Sequence, residues 1–193
     1  MLAAPIKRSV QDAFDYHQKD NYYLQGSEGG RIHGKLAEEL GYTDEYATDE
    51  TFLQMLRGED AQGKTVVKTK KQDMDAKGDR KVAATELMFA ADKSVGLLYN
   101  LAQTRNPAIA AEIAKFHSES VQEVLNEIEA ECMYSRTNEK AQPKALFVQY
   151  DHFEARPVTG EDGTKTIDPL LHTHVQWINV SQDVDGKFRA LLP

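Results

Sequence analysis

The sequence predicts an α+β domain: a central antiparallel sheet with helices packed on it. Three observations carry this expectation. Residues 107–133 keep Ile109, Ile113, Phe116, Val121, Val124, Leu125 and Ile128 on one helical face. The runs "KALFVQYDHFEA" and "PLLHTHVQWINVSQ" are rich in β-branched and aromatic residues and are joined by "RPVTGEDGTKTID", whose glycines, proline and charges suit a hairpin loop. A shorter apolar run, "KVAATELMFA", lies between helical stretches and is too poorly striped for an amphipathic helix.

In chain order, Val10, Phe14 and Tyr16 have helical spacing, after which "HQKDNYYLQGSEGG" reads as polar, glycine-rich loop. "RIHGKLAEELGY" repeats Ile32, Leu36 and Leu40 and predicts a helix stopped by Gly41. Thr48 or Asp49 caps the next helix, which buries Phe52, Met55 and Leu56 and ends at Gly58. The strand at 82–90 turns into a helix capped by Asp92, and Pro107 suits the first turn of the long helix, where its missing N–H costs nothing. The later strands are expected to gather around the 82–90 strand, with a turn at Asp185-Gly186 before a short final strand.

At 193 residues, one domain with an ample core is expected. A lone Cys132 excludes an intramolecular disulfide. With no secretory-type leader and no membrane-length apolar run, a cytoplasmic protein is expected. The net charge of -8 argues against nonspecific coating of duplex DNA, since such binding draws on neutralised phosphates. A local basic site remains open: Lys64–Lys81 carries +4 against -12 for the remainder, and reads either as a solvated loop or as an anion-facing segment.

Two of the six histidines stand at His172 and His174. In a strand, residues i and i+2 face one side, so both imidazoles point together. A hairpin folding back from "YDHFEA" brings His152 beside them. Three neutral nitrogen ligands with open positions suit a catalytic metal, because a structural site is normally closed by a fourth protein ligand. The competing reading is three histidines satisfied by hydrogen bonds. A cupin-type site would need a glutamate soon after His174, and "VQWINVSQ" holds none.

These segments resemble the TraI/TrwC conjugative relaxases, the MobF class of HUH endonucleases. "DPLLHTHV" resembles their three-histidine motif, and "DNYY" followed by "LQGSEGG" their N-terminal tyrosine region. "RIHGKLAEELGY", "ELMFAADKSVGLL" and "FHSESVQEVLNEIE" follow in the family's order. The resemblance is collinear from about residue 10 to the C-terminus. It implies a palm-like relaxase domain over residues 1–193, short of the C-terminal part of the family domain.

The implied activity is strand-specific nicking and rejoining at a plasmid origin of transfer through a 5′-phosphotyrosine adduct. It also implies a divalent metal on His152, His172 and His174, single-stranded origin DNA with an adjacent hairpin as partner, and relaxosome accessory proteins. Mg²⁺ or Mn²⁺ is expected in the cell, although imidazoles have intrinsic affinity for Zn²⁺ or Ni²⁺. The family's first tyrosine pair stands here as Asp15-Tyr16, making Tyr16 the leading nucleophile, with Tyr22 and Tyr23 as alternatives. Glu86 stands where the family has an aspartate that orients a histidine or assists the tyrosine. Lys93 and Arg156 match family positions suited to phosphate contact. Two other functions stay open: a DNA-binding remnant without efficient cleavage, and a metal enzyme acting on small molecules.

Overall fold

The chain enters through a three-residue strand, β1 (Ile6–Arg8), and passes directly into helix α1 (Val10–Tyr23). The Ser9 hydroxyl starts this helix by accepting from the Asp12 N–H at 3.2 Å. The computed structural model describes residues 6–23, 30–134, 141–155, 158–160 and 162–191. The expected loop at His17 is instead continuous helix, because His17 is itself fully buried and ties this turn to the core. Next come strand β2 (Arg31–His33), the short helix α2 (Lys35–Glu39) and helix α3 (Asp49–Arg57). The helix expected across "RIHGKLAEELGY" therefore begins only at Lys35. Arg31–His33 is drawn into the sheet edge by pairing with the later strand at Phe147–Gln149.

The predicted caps of α3 hold: Thr48 forms a capping box with Thr51, and Gly58 ends the helix in the left-handed region at φ 72°. Strand β3 (Ala84–Ala90), helix α4 (Lys93–Arg105) and helix α5 (Pro107–Glu131) follow. Asp92 caps α4 by accepting from the Ser94 N–H at 2.9 Å, as expected. Of the helical face expected on α5, Val121 and Leu125 are buried, whereas Ile109, Phe116 and Val124 are exposed. Among the described residues only part of its stripe finds a partner.

Strand β4 (Phe147–Glu154) leads through a ribbon, β5 (Val158–Thr159) and β6 (Lys165–Thr166), to strand β7 (Pro169–Ile178). A last hairpin pairs β8 (Ser181–Gln182) with β9 (Phe188–Arg189) around Gly186. The main sheet has the order β1-β3-β7-β4-β2, antiparallel throughout. The strand at 84–90 is thus next to the centre rather than at it. β7 takes the middle and is largely buried on both faces, so His172, Thr173 and Gln176 are polar groups held inside the sheet.

Helices α1–α3 cover one face, packing Val10, Leu36, Phe52, Met55 and Leu56 on Val148, Tyr150 and Ile178. Helices α4 and α5 take the other: Val121 and Leu125 of α5 meet Leu87, Phe147 and Val175, and α4 approaches β7 so closely at Gly96 that a β-carbon there would lie 3.3 Å from the Leu171 nitrogen. At the start of α2, Gly34 has φ 96°, and a β-carbon there would overlap the Ala145 carbonyl. Gly34→Ala is expected to destabilise the fold by at least about 2 kcal/mol in urea unfolding.

Burial holds the imidazoles of His33 and His117 below their ordinary 6.5. Above that value folded and unfolded states are both neutral. As pH falls through it, the unfolded chain takes up protons that the folded chain refuses, so stability declines. A series of urea midpoints from pH 7 to about pH 5 should show this decline in the native chain and a shallower one in His117→Gln.

Candidate functional site

Alternation along β7 sends His172, His174 and Gln176 to the α1 face and Leu171, Thr173 and Val175 to the other. The register pairs His152 with His172 and Tyr150 with His174, so the hairpin delivers His152 to the same face. The three ring centres stand 5.1, 5.3 and 5.0 Å apart. With imidazole nitrogens about 2.0–2.1 Å from a tetrahedral ion, ring centres would lie about 5 Å from one another, which this spacing meets. Among the described residues no group of three or more His, Cys, Asp or Glu side chains has the geometry of a metal site as it stands.

Hydrogen bonds set which nitrogen two of these rings offer. His172 Nδ1 donates to the Leu170 carbonyl at 3.0 Å, and His174 Nδ1 donates to Glu86 Oε1 at 2.7 Å. A carbonyl or carboxylate oxygen can only accept here, which places each neutral ring's lone pair on Nε2. Glu86 is buried, and burial alone would raise its pKa. The hydrogen bonds from His174 and Arg8, with the positive charge of Arg8, outweigh burial and hold the carboxyl below its ordinary value. Behind the histidines, the Thr173 hydroxyl donates to Asp151 Oδ1 at 2.6 Å and is held by His117 Nε2 at 3.0 Å. This network braces β4 against β7 directly behind the histidine cluster.

Tyr16 completes the group. Its ring lies 5.2 Å from that of His174 and beneath the Arg8 guanidinium, and only 9% of its surface is exposed. The next residue on α1, His17, faces the core: its Nδ1 bonds the Tyr150 hydroxyl, its Nε2 meets Asp49 Oδ1 at 3.2 Å, and its ring stacks on Phe52. This clamp holds α1 on the sheet and sets Tyr16 over His174. Neither His17 nor Tyr150 was singled out from sequence, since their meeting joins positions 133 apart.

The structure thus gathers Tyr16, Glu86, His152, His172 and His174. Tyr22 and Tyr23 form the last turn of α1, but their side chains lie outside the described residues. Lys93 Nζ contacts Asp168 Oδ2 and the Pro169 carbonyl, each at 3.2 Å, at the start of β7. Arg156 lies outside the described residues.

A second feature was half visible in the basic stretch Lys64–Lys81. A cleft of about 630 Å³ opens between that segment and the β8–β9 hairpin, lined by Lys68, Lys70, Arg80, Lys81, Lys187 and Arg189 with Asp73. Lys64, Lys68, Lys70, Lys71, Lys77 and Lys81 are exposed, as in a solvated loop, whereas Arg80 is 4% exposed. Its Nη2 donates to the Asn179 carbonyl, and its Nη1 is buried without a hydrogen-bond partner among the described residues. Burial lowers its pKa to about 10. Only the charge count hinted at this cleft, because Lys187 and Arg189 come from the far end of the chain.

The TrwC relaxase family model matches residues 10–193. The multifunctional conjugation protein TraI of Escherichia coli is 27% identical over 192 residues, and that of strain K12 is 26% identical. Each alignment covers 99% of this chain and 10% of the relative. Conjugative relaxase TrwC in complex with oriT DNA superposes with a TM-score of 0.70 at 25% identity, both metal-bound and copper-bound. Those alignments cover 99% of this chain and 61% of that one. The antiparallel sheet with its packed helices is the relaxase fold. The chain belongs to the TrwC relaxase family, as its motifs implied. Among the described residues no helix is long and apolar enough to cross a membrane.

Tyr150→Phe removes the hydroxyl that His17 meets in the core. It should cost about 1–3 kcal/mol in urea unfolding, while Asp49→Ala, at the exposed end of the clamp, should cost less.

Proposed function

We propose that this chain nicks and rejoins single-stranded DNA at a plasmid origin of transfer, with Tyr16 as its nucleophile. The observation that carries the reading is the packing of Tyr16 on His174 within the three-histidine group. An ordinary tyrosine, with a pKa of about 10, is ionised in only about one molecule in a thousand at neutral pH, so it needs a polarising neighbourhood. Here the Arg8 guanidinium and the His174 ring both lie against the Tyr16 ring.

The phenolate oxygen attacks phosphorus. A bond forms to the 5′ phosphate as the bond to the 3′ oxygen breaks, and that oxygen leaves as a hydroxyl after taking a proton. Attack by a 3′ hydroxyl on the phosphotyrosine reverses the step and rejoins the strand. The donor set and ring spacing fit a divalent ion, and His152, His172 and His174 would hold it. When bound, such an ion draws on a non-bridging phosphate oxygen and offsets the charge that develops there. Mg²⁺ or Mn²⁺ suits phosphoryl chemistry in the cell, and Zn²⁺, Ni²⁺ or Cu²⁺ suits the imidazoles.

Glu86 holds His174 in the Nδ1–H form. Tyr22 and Tyr23, about two turns further along α1, are candidates for a second transesterification. The basic cleft offers a track for the DNA backbone or an adjacent hairpin, and Lys93 and Arg156 are further phosphate contacts. Its local positive charge supports DNA binding despite the net charge of -8. The oriT DNA held by TrwC supports the same partner class. Accessory relaxosome proteins and a cytoplasmic setting belong to this reading.

A second reading, origin-DNA binding without efficient cleavage, is favoured by the burial of Tyr16 and by Asp15 in place of a tyrosine. Incubation with a panel of single-stranded origin oligonucleotides and Mn²⁺ separates the two. Nicking predicts a covalent band on a denaturing gel, lost in Tyr16→Phe and weakened at least about tenfold in His172→Ala. An adduct that persists in Tyr16→Phe moves the nucleophile to Tyr22 or Tyr23. Retained oligonucleotide binding with no adduct in Mn²⁺ or Mg²⁺ overturns nicking in favour of binding alone.

A further inference from the structure

The edge strand β1 contributes a charged side chain whose contact with Glu86 the reaction described above does not use. Arg8 pairs in register with Ala84, and Ile6 with Glu86, so Arg8 and Glu86 are diagonal neighbours on the sheet face that carries the histidines. Arg8 Nε donates to Glu86 Oε2 at 2.7 Å, and Arg8 Nη2 donates to the same oxygen. The other carboxylate oxygen, Oε1, takes the His174 Nδ1–H. The same guanidinium carbon lies 5.3 Å from the centre of the Tyr16 ring. One arginine therefore touches both the carboxylate that orients a histidine and the ring of the nucleophile.

We propose that Arg8 is a positioning residue of this site. It locks Glu86 so that His174 presents Nε2 to the three-histidine centre, and it ties that centre to Tyr16. The proposal rests on the metal-assisted nicking reading for its purpose, but its geometry is independent of any metal.

Glutamate has one more rotatable bond than aspartate. A carboxylate on that longer arm, with a single hydrogen bond to His174, would keep rotational freedom in which Oε1 swings off Nδ1. Two donors from a planar guanidinium on Oε2 remove that freedom. The charge of Arg8 also keeps a nearly fully buried carboxylate in company. The Arg8 side chain is itself 25% exposed. A lysine could keep the charge but not the fixed fork.

The test uses the full chain, first without metal. Long-range proton–nitrogen NMR of ¹⁵N-histidine protein reads the His174 tautomer directly. Native protein should show a single Nδ1–H form, Arg8→Gln a mixture of tautomers, and Arg8→Lys an intermediate state. Titration with Co²⁺, followed by its visible absorption, should give an affinity about tenfold weaker in Arg8→Gln than in the native chain. Glu86→Gln should lose at least as much, and Arg8→Gln combined with Glu86→Gln should lose no more than Glu86→Gln alone, because Arg8 acts through Glu86.

A native tautomer and native Co²⁺ affinity in Arg8→Gln would overturn the proposal, as would losses that simply add in the double variant. Circular dichroism checks folding, and if Arg8→Gln is unfolded, Arg8→Lys carries both measurements. A native chain that takes up no Co²⁺ sinks the metal reading, and the tautomer measurement still decides the role of Arg8.

Discussion

The register between β4 and β7 is the constraint on which the site depends. It sets His152 opposite His172 and Tyr150 opposite His174. Because strand side chains alternate, a slip of one residue would send His152 to the α4–α5 face and leave only the H-x-H pair. The register is held from both sides. Phe147 and Val175 pack under α5, Val148 and Tyr150 pack under α1–α3, and the Asp151–Thr173 bond lies directly behind the histidines. A core that excludes water on both faces thus also fixes the spacing of three imidazoles.

A rigid sheet still needs the tyrosine brought to it. Helix α1 carries Tyr16 and His17 as neighbours facing different ways, one toward the histidine cluster and the other into the core. His17, with Tyr150 on one nitrogen and Asp49 on the other, fixes the rotation of the helix about its axis. On the site side the half-buried Arg8 balances the buried charge of Glu86, and the pair reaches both Tyr16 and His174. Packing places the helix, and electrostatics orients the groups that would react.

Much of this architecture is legible in the residue pattern. The strand at 84–90, the long helix from Pro107, the caps at Thr48, Gly58 and Asp92, and the hairpin between the two β-rich runs are all present. They share a local cause: propensity, a capping hydroxyl or carboxylate, or a glycine at positive φ. The misreadings share a non-local one. Arg31–His33 looks helical beside Leu36 and Leu40, but edge pairing with β4 pulls it extended. The polar run after Tyr16 looks like loop, but burial of His17 keeps it helical. Phe116 matches the stripe of α5, yet among the described residues no element covers it.

The sequence by itself determined which chemistry is on offer. The H-x-H spacing settles that His172 and His174 share a face of any strand they form, since that follows from backbone geometry alone. The order of motifs carried the relaxase resemblance, which the family match bears out. Only the tertiary structure decided what those groups meet. Glu86 reaches His174 across 88 positions, Arg8 reaches Glu86 across 78, and Lys187 and Arg189 join a cleft opened by residues more than a hundred positions earlier. Such contacts depend on strand order and helix docking, which minimise exposed apolar surface over the whole chain. No short stretch of sequence carries that information.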